Sequence, residues 1–192
     1  LVVDELKFPD TWTLCIPGQH NRYDASLALT VARTLGISDE VSRRVLASFA
    51  GVPGRLEFIA EKDGIKIYND TTATTPEATI AAIDALRSSG QNQNLILILG
   101  GADKGLNMNA LLLKLKEVKR IILLAGTGTS QVLEFIPSAS VFDDLGKAVT
   151  EAFASAREGD TILFSPAFAS FGMFKNEYDR GDQFNAIVRK LI

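Results

Sequence analysis

The chain has 192 residues, 46% of them hydrophobic, which suffices for one large or two small domains with a buried core. Its net charge of −3 at pH 7 supplies no basic surface for nucleic acid. No apolar run reaches the roughly 18 residues of a membrane span, and no signal peptide is visible. A single cysteine and a single histidine exclude an internal disulfide and a conventional zinc site, and we expect a cytoplasmic protein.

The first 52 residues are predicted to be mainly helical. Residues 21–35 carry apolar side chains at helical spacing, and Gly36 is typical of a C-terminal cap. A second helix is predicted over residues 38–49, with Ser38 as its N-cap. The Gly-Val-Pro-Gly stretch at 51–54 then indicates a loop, and the pattern changes beyond it. We therefore predict two domains, 1–52 and 53–192.

The second domain alternates strands with helices. Apolar segments at 56–60 and 65–68 flank an Asp-Gly pair, which predicts a hairpin. Strands are further predicted at 95–99, 121–124, 140–142 and 161–164, and helices at 76–88, 109–115, 130–135, 145–156 and about 182–191. Two of these strands are continuously apolar, which indicates burial on both faces. The fold class is thus α/β: a Rossmann-like domain with a mostly parallel sheet, preceded by a short helical part.

Polar or glycine-rich loops follow four of the predicted strands, at the edge where such sheets bind ligands. In the first loop, Asp70 could accept ribose hydroxyls or hold a cation, and Thr74 could bind an anion. Alternatively, residues 74–77 form a capping box that starts the next helix. In the second loop, Lys104 follows paired glycines and could serve either an anionic ligand or solvent.

The other two loops carry weaker signals. The Gly-Thr-Gly of residues 126–128 resembles a dinucleotide fingerprint without its third glycine, and we interpret it as a turn and helix cap. Residues 165–181 begin with small and hydroxyl side chains, including Ser170, that would let a ligand approach the backbone. An ordinary strand-to-helix turn is the alternative. Phe168 and Phe174 are assigned to packing.

Two further segments could bind anions. Residues 20–24 open the first helix, where free backbone amides favour negative charge. Arg55 could present its guanidinium to a phosphate. The alternative for each is an N-cap or a surface ion pair worth at most about 1 kcal/mol.

Taken in series, these motifs resemble the C-terminal part of the Mur ligases. The segments that carry the resemblance occur in the family's order and lie at 18–21, 51–57, 69–74, 100–105 and 165–181. Mur ligases have an N-terminal domain for a UDP-sugar, a central ATPase domain and a C-terminal domain for the incoming amino acid. The resemblance implies that this chain holds the tail of the central domain and all of the third. Because the family's Gly-x-x-Gly-Lys-Thr phosphate loop does not occur in the sequence, this part alone is expected to be inactive.

Within the family, the chain resembles the ligases that add D-glutamate to UDP-N-acetylmuramoyl-L-alanine through an acyl phosphate formed with ATP and Mg²⁺. The family's D-glutamate positions are matched by Thr74, Lys104, Ser170, Phe171 and Tyr178. The positions near ATP are matched by Asn21 and Asp24 at the adenine, Arg55 at the phosphates and Asp70 at the ribose. The resemblance assigns no catalytic or metal-binding residue to this chain, and we expect a monomer with no membrane or nucleic-acid partner.

Two other functions remain open from the sequence. One is a non-catalytic, Rossmann-like nucleotide-binding module that uses the 126–128 loop. The other is a related ligase that adds a different amino acid, similar to folylpolyglutamate synthase.

Overall fold

The computed structural model describes residues 8–88 and 94–192, and the chain divides into two compact units, Leu1–Gly51 and Val52–Ile192. The first unit contains helix α1, Gln19–Thr34, and helix α2, Asp39–Ser48. A left-handed Gly36 follows the C-terminal end of α1, and Ser38 accepts a hydrogen bond from the Val41 amide at 3.4 Å to cap α2. Both predicted caps are confirmed.

The second unit is built on a sheet of six strands in the order β1-β2-β6-β3-β4-β5. The strands are β1 Glu57–Lys62, β2 Ile65–Asn69, β3 Leu95–Gly100, β4 Arg120–Leu124, β5 Ser140–Phe142 and β6 Thr161–Phe164. Only β1 and β2 pair antiparallel, through a two-residue turn at Asp63 and Gly64 whose φ angles are 52° and 73°. The other neighbouring strands pair parallel. The predicted hairpin and the mostly parallel sheet are confirmed.

Helices cover both faces of this sheet. They are α3 Pro76–Ser88, α4 Asn109–Lys114 with a 3-10 turn at Leu115–Glu117, α5 Thr129–Phe135, α6 Leu145–Ser155 and α7 Glu177–Leu191. Along β3, Leu97 and its alternate neighbours pack in the cluster that includes α3 and α4, whereas Ile96 and Ile98 pack with α6 and α7. Each fully buried aliphatic side chain contributes about 1.5–3 kcal/mol. The continuously apolar strands are therefore buried on both faces, as predicted. Within residues 8–88 and 94–192, no helix is both long and apolar enough to cross a membrane.

The predicted start of the last helix, near residue 182, is wrong. Helix α7 begins at Glu177, and Asn176 caps it by accepting a hydrogen bond from the Asp179 amide at 2.8 Å. Gly181 therefore lies inside the helix. A Cβ atom at Gly181 would lie 2.5 Å from the Thr71 methyl group, so the glycine lets α7 pack directly on the loop after β2.

Candidate functional site

The loops that follow the parallel strands meet at the carboxyl edge of the sheet and are hydrogen-bonded to one another. Ala102 and Ala169 exchange backbone hydrogen bonds of 2.9 and 3.1 Å. On the other side, the Ala167 amide donates to the Ala73 carbonyl at 2.9 Å. Residues 165–170 therefore lie between the loops after β2 and β3. The edge is one continuous structure and not a set of independent loops.

Glycines make this close contact possible. A Cβ atom at Gly101, whose φ is 145°, would lie 2.3 Å from the Ala169 carbonyl oxygen. At Gly126 and Gly128 it would lie 2.2 Å from the Gly101 carbonyl oxygen and 2.3 Å from the Phe168 ring. The glycines of residues 126–128 are thus required by packing, which confirms the interpretation of this loop as a turn before α5. They supply no argument for a bound nucleotide.

Two of the predicted amino-acid-binding residues meet at this edge. The Lys104 ammonium donates to the Thr74 hydroxyl at 3.2 Å, although the two residues are 30 positions apart in sequence. The alternative for Thr74, a capping box over residues 74–77, is not formed, because Thr75 is the residue whose hydroxyl accepts from the Ala78 amide. Within the described chain no carboxylate forms an ion pair with Lys104.

The remaining predicted amino-acid-binding residues differ in exposure. Ser170 is buried next to the bonded pair of loops, and its hydroxyl makes no hydrogen bond to any other described residue. Phe171 and Tyr178 are 69% and 63% exposed. Phe168 is buried in the hydrophobic cluster that includes α3 and α4, and the partly buried Phe174 packs against the other cluster, so both have packing roles, as predicted. The edge therefore presents one free hydroxyl and two exposed aromatic rings near the Lys104 and Thr74 loops.

Asp70 lies deeper, at the end of β2. Its Oδ1 accepts from the Leu56 amide at 2.9 Å and its Oδ2 from the Ser165 hydroxyl at 2.7 Å. Burial raises the pKa of Asp70 to about 6, and these hydrogen bonds and the charge of Arg55 oppose the rise. A carboxylate offers about four lone-pair sites, so Asp70 keeps capacity for a ligand hydroxyl.

Arg180, a candidate only as a member of the 165–181 segment and without an assigned role, is fully buried on α7. Its guanidinium donates to the Thr71 carbonyl at 2.7 Å, the Thr71 hydroxyl at 3.1 Å and the Phe168 carbonyl at 3.2 Å. Burial lowers the pKa of Arg180 to about 10, so the side chain stays charged at neutral pH. All three acceptors are neutral. The only sequence signal was its place in residues 165–181, which says nothing about burial.

The predicted ATP-binding residues belong to different units. Asn21 and Asp24 lie on α1 in the first unit, where the Asn21 amide donates to the Pro17 carbonyl at 2.6 Å and Asp24 is exposed. Arg55 is exposed and, like Asp70, belongs to the second unit. In residues 8–88 and 94–192, no group of three or more His, Cys, Asp or Glu side chains could hold a metal ion.

The carboxyl edge is suited to a small anion. Lys104 and Arg180 supply positive charge that no described carboxylate neutralises by an ion pair, and Thr74 and Ser170 supply hydroxyl groups. Because the loops are fixed to one another, these groups are held on a rigid base, which favours oriented binding.

Comparisons with known proteins identify the family of the chain. Residues 54–168 match the family described as "Mur ligase, glutamate ligase domain". A UDP-N-acetylmuramoylalanine–D-glutamate ligase from Roseiflexus sp. is 40% identical over 179 residues, which cover 89% of this chain and 37% of that protein. The chain spans about two fifths of the length of such curated relatives.

Solved structures show the same fold. The UDP-N-acetylmuramate–alanine ligase of Thermotoga maritima aligns with a TM-score of 0.71 at 17% identity, over 94% of this chain and 40% of that one. FolC of E. coli, in complex with ADP, aligns with a TM-score of 0.69 at 20% identity, over 95% of this chain and 42% of that one. At these identities the likeness concerns the fold alone.

Proposed function

Because this chain belongs to the Mur ligase family, we propose that it is the amino-acid-binding part of an ATP-dependent ligase that adds D-glutamate to UDP-N-acetylmuramoyl-L-alanine. The name of the 40%-identical relative supports the choice of amino acid. The structural observation that best supports this proposal is the contact between Lys104 and Thr74, which holds an ammonium group without an acidic partner at the carboxyl edge.

In this proposal, Lys104 binds a carboxylate of D-glutamate, and Thr74 and Ser170 donate hydrogen bonds to the same ligand. A dicarboxylate needs charge neutralisation and directional donors, and both are present on fixed loops. Phe171 and Tyr178 would cover the ligand from the solvent side. The task of these residues is to hold the amine of D-glutamate in line with the activated carboxylate, a contribution of orientation.

ATP would supply the phosphoryl group that activates the other substrate. Asp70 would accept a ribose hydroxyl, Arg55 would contact the phosphates, and Asn21 and Asp24 would lie near the adenine. We propose that a divalent ion, Mg²⁺, and most of the phosphate-binding residues belong to other parts of the ligase, so that this chain alone does not complete the reaction. We further propose a cytoplasmic, monomeric enzyme.

An NMR titration of the folded chain with D-glutamate in the presence of ATP tests the amino-acid site. We expect amide shifts to concentrate at residues 74, 104 and 170, and Lys104→Met to weaken the binding at least about tenfold, the loss of one charge-assisted contact. Lys66→Met, on β2 and away from the carboxyl edge, is the control and should bind like the wild type. Shifts that are absent from these three positions would contradict the proposed amino-acid site.

The same titration separates the two other functions. A ligase for a different amino acid would respond to L-glutamate as strongly as to D-glutamate. A nucleotide-binding module would respond to ATP alone, with shifts at residues 126–128. The packing of Gly126 and Gly128 against neighbouring loops favours neither.

A further inference from the structure

Two residues at the carboxyl edge hold an unfavourable backbone conformation. Leu56, just before β1, has a φ of 44°, and Ala167, just after β6, has a φ of 63°. A left-handed conformation costs a residue with a Cβ atom about 1–2 kcal/mol. Such strain persists where surrounding contacts determine the backbone, and it is frequent at functional sites. The contacts that hold these two residues therefore identify what the edge must keep in place.

One carboxylate connects the two strained segments. Asp70 accepts from the Leu56 amide through Oδ1 and from the Ser165 hydroxyl through Oδ2. Ser165 is two residues before Ala167, whose own amide is bonded to the Ala73 carbonyl, in the same loop as Asp70. Asp70 thus links the segment before β1 to the segment after β6.

Ser165 is the fixed end of this link. It is fully buried, and its amide donates to the Ile98 carbonyl at 3.1 Å. The Thr79 hydroxyl on α3 lies 2.9 Å from Ser165 Oγ and donates to the Ser165 carbonyl at 3.3 Å. The Ser165 hydroxyl has one proton, and the carboxylate is a stronger acceptor than the Thr79 hydroxyl. The proton is therefore directed to Asp70.

We propose that Ser165 is a positioning residue: through Asp70 it holds the 54–57 segment, which carries Arg55, in register with residues 165–170, which carry Ser170. This role rests on the proposed function, in which Asp70 and Arg55 contact the nucleotide and Ser170 contacts the amino acid. Ser165 touches neither ligand in this scheme. It fixes the distance between the two subsites of the reaction.

The hydrogen bond from Ser165 stabilises the charged form of Asp70. Arg55 is the one charged group that bears on this carboxylate in the described chain, since Ser165, Thr79 and the Leu56 amide are neutral. Removal of the hydroxyl leaves Oδ2 of a buried carboxylate without its donor. The protonated, neutral form of Asp70 is then favoured, and the hydrogen bond from the Leu56 amide to Oδ1 becomes weaker.

The test is a pH titration of the Asp70 carboxyl carbon by ¹³C NMR in the wild-type chain and in Ser165→Ala. We expect the substitution to raise the pKa of Asp70 from about 6 to about 7. This shift corresponds to the free energy of one hydrogen bond to a charged group. Amide hydrogen exchange at Leu56 and Ala167 should become about tenfold faster, the factor that corresponds to the loss of one hydrogen bond. Ser165→Thr keeps the hydroxyl and should restore both values. Ser26→Ala, a buried serine on α1, is the matched control and should change neither.

An unchanged Asp70 titration with unchanged exchange at Leu56, in folded Ser165→Ala, would overturn the proposal. If Ser165→Ala does not fold, Ser165→Cys decides, because the thiol has a similar shape but is a weak donor. A wild-type titration in Ser165→Cys would also overturn it. Neither readout uses a ligand, so a failure to bind D-glutamate would count against the proposed function and leave this test intact.

Discussion

The two edges of the sheet treat charge in opposite ways. At the amino edge, where strands begin and helices end, four basic side chains form ion pairs: Lys119 with Asp160, Arg120 with Glu151, Arg87 with Glu117, and Lys114 with Asp84 and Glu117. At the carboxyl edge, Lys104 and Arg180 donate only to hydroxyl and carbonyl oxygens. The amino edge thus holds paired charges, whereas at the carboxyl edge the cations Lys104 and Arg180 and the carboxylate of Asp70 form no ion pair with another described residue.

This difference separates charges that are paired within the protein from charges that are not. The carboxylate of Asp160 is 1% exposed, accepts from Lys119 through both oxygens at 2.7 and 2.5 Å, and also accepts from the Arg157 amide. Its bonding capacity is used within the protein. A buried cation such as Arg180 costs desolvation free energy when no carboxylate pairs with it, whereas the exposed Lys104 ammonium is stabilised by water and stays available to an anion.

The largest expected effect comes from a matched pair of lysine substitutions, one at each edge. Lys119→Met leaves the Asp160 carboxylate buried without its partner and should lower the free energy of unfolding by about 3 kcal/mol. Lys104→Met removes an exposed ammonium and should change it by less than about 0.5 kcal/mol. Urea denaturation at pH 7 measures both. Equal losses would break the distinction between the edges.

Arg180→Met tests whether the buried guanidinium also holds the loops. The substitution preserves much of the apolar volume but leaves the Thr71 and Phe168 carbonyls without donors, and we expect a loss of about 2–3 kcal/mol in the free energy of unfolding. Arg189→Met, exposed near the end of the same helix, serves as control and should stay within about 0.5 kcal/mol of the wild type. An unchanged free energy of unfolding in Arg180→Met would show that the guanidinium does not stabilise the loops.

The pH dependence of stability should show the cost of the Asp70 charge. The pKa of Asp70 is raised from 3.8 to about 6 in the folded chain, so between these values the folded state binds more protons than the unfolded state. The contribution of Asp70 to stability is therefore present below about pH 4 and lost as the pH rises through about 6. Relative to Asp70→Asn, the wild type should lose about 2 kcal/mol of unfolding free energy between pH 4 and 7. A constant difference across this range would contradict the raised pKa.

Local features of the fold followed from the sequence, whereas contacts between distant segments did not. The Asp63-Gly64 turn, the Ser38 cap and the double-sided burial of β3 depend on residues close together in the chain, and all were predicted. The contact of Lys104 with Thr74 could be expected only in outline, because both follow parallel strands. Which loops bond to each other depends on the strand order, and no local pattern encodes that order.

Arg180 shows the limit most clearly. The predicted start of the last helix, near residue 182, left Arg180 and Gly181 outside the helix. In the structure the glycine lets the helix approach the loop after β2, and this approach buries the neighbouring arginine. The missed helix start and the missed cation therefore have one cause, a close contact between residues 110 positions apart.

That contact predicts the smallest effect. Gly181→Ala should gain about 1 kcal/mol from helix propensity but place a Cβ atom 2.5 Å from the Thr71 methyl group, so the helix or the loop must shift, at a net cost of about 1–2 kcal/mol. Gly146→Ala, within α6, brings its Cβ atom 3.0 Å from the Asp144 carboxylate and 4.0 Å from the Ile187 side chain, with no backbone contact, and should be neutral or stabilising. Because Arg180 donates to Thr71, the shift in Gly181→Ala should also perturb the Thr71 and Phe168 amides in NMR spectra, and Gly146→Ala should not. Equal stability of the two variants would mean that the carboxyl edge adjusts freely and that its loops are not held by α7.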